Sequence, residues 1–202
     1  MHLSEIWIYP VKSLGGIRLT EAVPEERGLQ YDRRWLIIDE NNKFVTQRVF
    51  TKMAFIEVRL TAGGLLIFNR ENPDNTLTVP FEPVTREELT VTIWDDTVTA
   101  LTVSDEADQW LSSALDRPLR LVYMAETSQR RIDPKYAKNE ESVSFADAFP
   151  FLFISQESLN DLNAKLEEPV EMKRFRPNFV ISGTTPFAED QWQKVAIGES
   201  AF

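Results

Sequence analysis

No cysteine occurs among the 202 residues, and histidine occurs once, as His2. Without cysteine these residues hold no disulfide framework, no thiolate nucleophile, no iron–sulfur cluster and no Cys-ligated zinc. A single histidine beside the first residue excludes multi-His metal sites and speaks against a Ser-His-Asp triad, so no metal-ligating set is expected. Basic residues are also in deficit, 22 Lys+Arg against 32 Asp+Glu, for a formal charge of -10. That balance lacks the broad basic face that nucleic acid requires. No apolar run approaches the roughly 18 residues of a membrane-spanning helix, the densest being Phe149 to Ile154. The start, Met1-His2-Leu3-Ser4-Glu5, has neither a basic n-region nor an apolar h-region. A cytoplasmic protein is the expectation, and the absence of cysteine fits a reducing compartment.

What is present is apolar and aromatic. Hydrophobic residues make up 43%, with 13 Phe, 5 Trp and 4 Tyr, enough for a core and better suited to strands than to helical bundles. The first hundred residues read as short strands with turn residues between them. Leu3 to Tyr9 stops at Pro10, and Arg34 to Asp39 leads through Asn41-Asn42 into Phe44-Val45-Thr46. An Asn-Asn pair tolerates positive φ and predicts a tight hairpin. Ala54–Leu60, Leu65–Phe68, Leu77–Val79, Leu89–Trp94 and Thr97–Val103 continue the series, a spacing that suggests a barrel or sandwich. After Val103 the period changes. Ser104-Asp105-Glu106 is an N-cap signal ahead of Trp110, Leu111 and Leu115, and Ser155 caps a second helix carrying Leu159, Leu162 and Leu166. Leu119–Tyr123, Phe179–Ile181 and Lys194–Ile197 are further strand candidates, and Ser128–Glu141 reads as a long polar loop.

Four segments carry polar residues that this patterning does not explain. Tyr9-Pro10-Val11-Lys12-Ser13 places an ammonium beside a hydroxyl and loop amides, the set an anionic oxygen needs; a solvated loop lysine is the alternative. In Tyr31-Asp32-Arg33-Arg34-Trp35, adjacent arginines on a strand face opposite sides, so one can pair with Asp32 while the other enters a pocket. Ser144 to Pro150 sets Asp147 in an apolar stretch, where a carboxylate must be paired or must neutralise; a capping Asp is the alternative. In Lys173 to Val180, Pro177 pushes Arg176 toward an extended conformation, which would project Arg176 and Asn178 to one side.

Taken in order, these segments resemble the MOSC family of molybdenum-cofactor proteins, in the branch with an N-terminal β-barrel domain that includes bacterial YcbX-type proteins and mitochondrial amidoxime-reducing components. The resemblance rests on Tyr9-Pro10-Val11-Lys12-Ser13, Gly28 to Arg33, Thr46-Gln47-Arg48, Ser144 to Asp147, Phe175 to Asn178 and Ala188 to Trp192 with Ile197-Gly198. It implies a β-rich α+β fold, an N-terminal β-barrel-like domain over 1–120 and a partial MOSC β-barrel with flanking helices over 121–202. It implies molybdenum cofactor, a molybdopterin, with Lys12, Ser13 and Arg33 at the anionic tail and Asp147, Arg176 and Asn178 at the pterin. The implied reaction is reduction of N-hydroxylated compounds such as amidoximes and hydroxylamines, with an electron-transfer protein as partner. In the family a cysteine beyond the stretch resembling Lys194–Phe202 ligates the metal. These residues lack one, so they are expected to be catalytically incomplete as they stand, and the strand near Ile197 is expected to expose an edge that promotes self-association. Two other roles are open: a non-catalytic cofactor carrier, or a module that docks a redox partner.

Overall fold

A computed structural model describes all residues except Lys138 and Glu140. In chain order the strands are β1 (His2–Ile8), β2 (Ile17–Leu19), β3 (Pro24–Glu25), β4 (Gly28–Leu29) and β5 (Trp35–Ile38). Then come β6 (Ile56–Thr61), β7 (Gly64–Asn69), β8 (Asn72–Pro80), β9 (Glu88–Ile93) and β10 (Asp96–Thr102). Helix α1 (Asp105–Leu115), β11 (Arg120–Tyr123), β12 (Phe153–Ser155), α2 (Gln156–Asn163), β13 (Phe179–Ser182), β14 (Ala196–Ile197) and β15 (Ser200–Ala201) complete the order. The fold is β-rich α+β, as the sequence implied.

Alternation builds the sheets. Strands β6, β7 and β8 form an antiparallel meander, in which Leu77 and Val79 of β8 are buried while Thr76 and Thr78 face out. A second sheet runs β5-β11-β10-β9. Its strand β5 is buried on both faces. Trp35 and Ile37 enter one core with Leu65, Ile67, Leu77, Val79 and helix α1, while Leu36 and Ile38 enter another with Val91, Ile93, Val98 and Phe145. The Ser104 hydroxyl caps α1 by accepting from the Ala107 N–H, and Ala107, Leu111 and Leu115 are its buried stripe. Trp110 is only half-buried and donates its indole N–H to Asn75.

The third sheet positions the site. Its order is β12-β13-β1-β2, so β1 lies between β2 and a strand from the far end of these residues, with which it pairs antiparallel, His2 opposite Ser182. Helix α2 is shorter than its leucine spacing predicts. It ends at Asn163, whose side chain accepts from the Val170 N–H and donates to the Val170 carbonyl, closing the following loop. Leu166 therefore lies outside the helix and is exposed. Of the expected Lys194–Ile197 strand, Ala196–Ile197 pairs with β15, and Val195 exchanges both backbone hydrogen bonds with Phe202. Phe202 turns back onto Phe151, Phe153 and Phe179, with ring centroids 4.8, 5.6 and 5.2 Å away.

Candidate functional site

Strand β1 ends at Ile8, and the next residues run beside the start of β5. Lys12 N–H donates to the Trp35 carbonyl and Trp35 N–H to the Pro10 carbonyl. Ser13, at φ 70, then turns the chain. This directs the Lys12 side chain inward, leaving the residue 6% exposed. Its Nζ donates to the Phe145 carbonyl and to Asp147 Oδ1, both at 2.7 Å, with the Phe44 and Trp94 rings each 5.8 Å away. Burial lowers the Lys12 pKa to about 8, against the opposing pull of Asp147. Burial also works to raise the Asp147 carboxyl, but the charge and hydrogen bond of Lys12, aided by Arg48, outweigh it and hold Asp147 below the usual carboxylate range.

The second cluster forms around Tyr9. Tyr31 and Arg33 both adopt left-handed backbone, at φ 67 and 50, so strand alternation begins only at Trp35. Asp32 is buried and accepts from the Tyr9 N–H at 2.7 Å and from the Arg33 guanidinium. Arg33 thus both pairs with Asp32 and joins the cluster, donating to the Arg176 carbonyl at 2.9 Å. Arg34 diverges as expected, yet it is buried as well, against the Met124 carbonyl and the carboxylates of Glu25 and Glu126.

Arg176 is not extended. It sits at φ 58 and ψ 46, ending the 3-10 turn Met172–Phe175, so it shares no strand face with Asn178. The closing bond from its N–H to the Lys173 carbonyl, the bond from Nη1 to the Leu14 carbonyl at 2.8 Å and stacking on Tyr9 together override the preference that Pro177 imposes. The Arg33 and Arg176 guanidinium carbons lie 4.4 and 4.2 Å from the Tyr9 ring centroid. Two buried atoms here lack a hydrogen-bond partner, Arg176 Nη2 and Tyr9 Oη. Burial, with Arg33 nearby, brings Arg176 down to about 10, and burial raises Tyr9 to about 12.

Of the six residues singled out in the sequence, the fold joins Lys12 with Asp147 and Arg33 with Arg176, and buries Ser13 in the turn beside Lys12. Asn178 is engaged otherwise. Its amide donates to the Trp7 carbonyl and accepts from the Leu152 N–H, tying β1 to the chain leading into β12. Sequence reasoning missed Arg130, which lies in the polar stretch read as a surface loop. It is 6% exposed, paired with Asp96, and donates to the carbonyls of Ser144, Ala146 and Asp147, which fixes the segment carrying Asp147. No local signal marks such burial, since its partners come from two other parts of the chain. Beside Asp147 opens a groove of about 860 Å³, lined by the β9–β10 turn, Gln129 to Pro134, Tyr136, Val143 and Asp147 to Phe149.

A phosphate-bearing group fits the chemistry of these residues. Lys12, Arg33 and Arg176 bring three cations close to two carboxylates, Asp32 and Asp147, and Arg176 Nη2 is a buried donor still unmatched. Among the described residues no group of three or more His, Asp or Glu could hold a metal ion, and no helix is long and apolar enough to cross a membrane.

Comparison with known proteins identifies the family. Residues 1–118 match the MOSC N-terminal beta barrel domain and residues 140–202 the MOSC domain. Mitochondrial amidoxime-reducing component 1 of Mus musculus is 34% identical over 206 residues, 98% of this chain and 60% of the relative. Its Homo sapiens counterpart is 31% identical over 205 residues, with the same coverage of 98% and 60%. Molybdenum cofactor sulfurase of Oryza sativa subsp. japonica is 31% identical over 219 residues, 100% of this chain and 27% of the relative. The chain thus spans about three fifths of the amidoxime-reducing relatives and about a quarter of the sulfurase. Motif order, β-rich fold and family match lead to one statement: this chain belongs to the MOSC family, in the branch that carries the MOSC N-terminal beta barrel domain.

Proposed function

We propose that this chain binds molybdenum cofactor, with Lys12, Ser13 and Arg33 at the phosphate tail, Asp147 and Arg176 at the pterin, and Asn178 serving the pterin end only through the strand it anchors. In this reading the 1–120 and 121–202 domains each contribute one side of the site. The observation that supports it most is the buried cation cluster with its unmatched Arg176 donor. The apolar surroundings strengthen each charge–phosphate contact, and the left-handed turns at Ser13 and Arg33 fix where those groups point. Asp32 holds Arg33 in place, and Asn178 acts by anchoring β1 so that Tyr9 to Ser13 start from a fixed strand end. When bound, the cofactor supplies two-electron chemistry at its metal, and the protein contributes binding, orientation and electrostatics. Reduction of N-hydroxylated compounds such as amidoximes, with an electron-transfer partner, is the corresponding activity proposed for the whole protein. A role as cofactor carrier uses the same residues without turnover.

The test is cofactor retention. The chain is loaded with molybdenum cofactor, desalted, and assayed for bound pterin fluorescence and molybdenum. Wild type should retain both, and Lys12→Ala and Arg33→Ala should lose most of the pterin at unchanged circular dichroism. Equal retention by wild type and both variants would overturn the assignment. Retention without reduction of an amidoxime by an added electron donor would favour the carrier.

A further inference from the structure

Arg130 is buried in a polar stretch, and a short backbone pairing turns it inward. The Val143 N–H donates to the Arg130 carbonyl and the Ile132 N–H to the Glu141 carbonyl, with Arg131 bridged to Ser142 between them. This antiparallel pairing imposes alternation: Ser128, Arg130 and Ile132 are buried, while Gln129 and Arg131 are exposed. The Arg130 guanidinium then donates from Nε to Asp96 at 2.7 Å, from Nη1 to the Ser144 and Ala146 carbonyls, and from Nη2 to the Asp147 carbonyl at 3.1 Å.

Ser144 to Asp147 belong to no helix or strand, so no ladder fixes their backbone. Four successive carbonyls instead face a cation. Those of Ser144, Ala146 and Asp147 meet Arg130, and that of Phe145 meets Lys12. From the other edge the Phe145 N–H donates to the Arg33 carbonyl at 2.9 Å. The two groups that hold Lys12 Nζ, the Phe145 carbonyl and Asp147 Oδ1, therefore lie within the stretch that Arg130 grips. Water or a neutral side-chain amide could satisfy carbonyls without burying a charge. What a planar guanidinium adds is a rigid fork that fixes several acceptors in one geometry.

We infer that Arg130 is a positioning residue of the proposed cofactor site: by clamping Ser144 to Asp147 it aims the Phe145 carbonyl and the Asp147 carboxylate at Lys12, and so sets how Lys12 meets an anion. The inference rests on the proposed function for the anion, but its first test needs no ligand. The rate at which acetic anhydride labels Lys12, followed by mass spectrometry from neutral to alkaline pH, gives the titration midpoint of that amine. The charges that act on Lys12 are Asp147, Arg130 and Arg33, with Arg48 on the far oxygen of Asp147. Burial outweighs Asp147 and puts the wild-type midpoint at about 8. Arg130→Lys keeps the charge and loses the fork, so the loosened segment should admit water and move the midpoint up, toward the ordinary 10.5. Arg130→Met also removes a repelling charge and should move it further; Arg130→Lys, the milder change, decides if Arg130→Met fails to fold. Leu111→Ala, in the core stripe of α1, controls for stability alone: it should unfold at lower urea and leave Lys12 at about 8. A midpoint unchanged or lowered in Arg130→Lys, or raised as far in Leu111→Ala, would overturn the inference. Sulfate, titrated by calorimetry into the same cofactor-free preparations at neutral pH, should bind Arg130→Lys about tenfold more weakly than wild type, as loss of an orienting partner commonly gives. Equal sulfate binding would show that only the charge of Arg130 acts, and would overturn it too. Failure of wild type to bind sulfate would refute the anion-site reading instead, and the Lys12 midpoint would still decide the role of Arg130.

Discussion

Between Trp35 and Thr127 no buried side chain is polar or charged, whereas the flanking stretches bury Lys12, Asp32, Arg33, Arg34, Arg130 and Asn178. The first region follows the elementary rule that alternating apolar residues close a sheet on a core. The second inverts it, setting four cations where desolvation opposes them and holding them with carbonyl oxygens and carboxylates. The contrast separates what stabilises this protein from what equips it to bind. One region can lose apolar atoms and keep its chemistry; the other cannot lose a single partner without leaving a buried charge exposed to its own neighbours.

The sharpest way to break that contrast is Asp32→Ala. It leaves Arg33 without its carboxylate and the Tyr9 N–H without an acceptor, and should destabilise the chain by roughly 3–5 kcal/mol in urea unfolding. A loss below 1 kcal/mol, about what an exposed pair contributes, would show that the cluster is solvated. Next comes Ile67→Ala, a buried apolar residue of β7 that makes no polar contact with the cluster. It should reduce stability by about 2–5 kcal/mol while leaving cofactor retention in the folded fraction unchanged; a parallel fall in retention would join the two regions energetically.

The smallest effect concerns pH. Sulfate, whose charge is constant from neutral to alkaline pH, should bind the cofactor-free chain more weakly as pH rises through about 8, where Lys12 gives up its proton. The same group has the opposite influence on folding. Its ordinary value is 10.5, so between about 8 and 10.5 the unfolded chain holds the extra proton, and the Lys12 contribution to stability rises with pH. Lys12→Met should flatten both profiles near pH 8, and an unchanged sulfate profile in that variant would remove Lys12 from anion binding.

Much of the apolar region was legible along the chain. Ser104 and Ser155 announced the two helices, and the Asn41-Asn42 turn appears with Asn42 at φ 59 between paired Ile38 and Phe44. These are local effects of side-chain oxygens and permissive backbone. The polar region was legible only as a set of residues, by resemblance. Lys12 and Asp147 are 135 positions apart, and no periodicity links them. The left-handed turn at Arg176 ran against the reading from Pro177, because bonds to Lys173 and Leu14 and the Tyr9 ring outweigh a local preference. Arg130 was read within a surface loop for the same reason: its acceptors, the Asp96 carboxylate and the carbonyls of Ser144, Ala146 and Asp147, come from other parts of the chain.

The placement of β1 between β2 and β13 has a consequence in time. Hairpins such as β6–β7 and β9–β10 close loops of a few residues and need nothing synthesised later. Strand β1 gains its second neighbour only when Phe179–Ser182 has arrived, a closure over nearly the whole chain, and contacts of such separation form slowly. Tyr9, Lys12 and Arg33 are made well before Asp147 and Arg176, which reach them only once that later stretch has been synthesised. During synthesis the cations therefore stay hydrated beside folded hairpins, and their dehydration coincides with completion of the β12-β13-β1-β2 sheet.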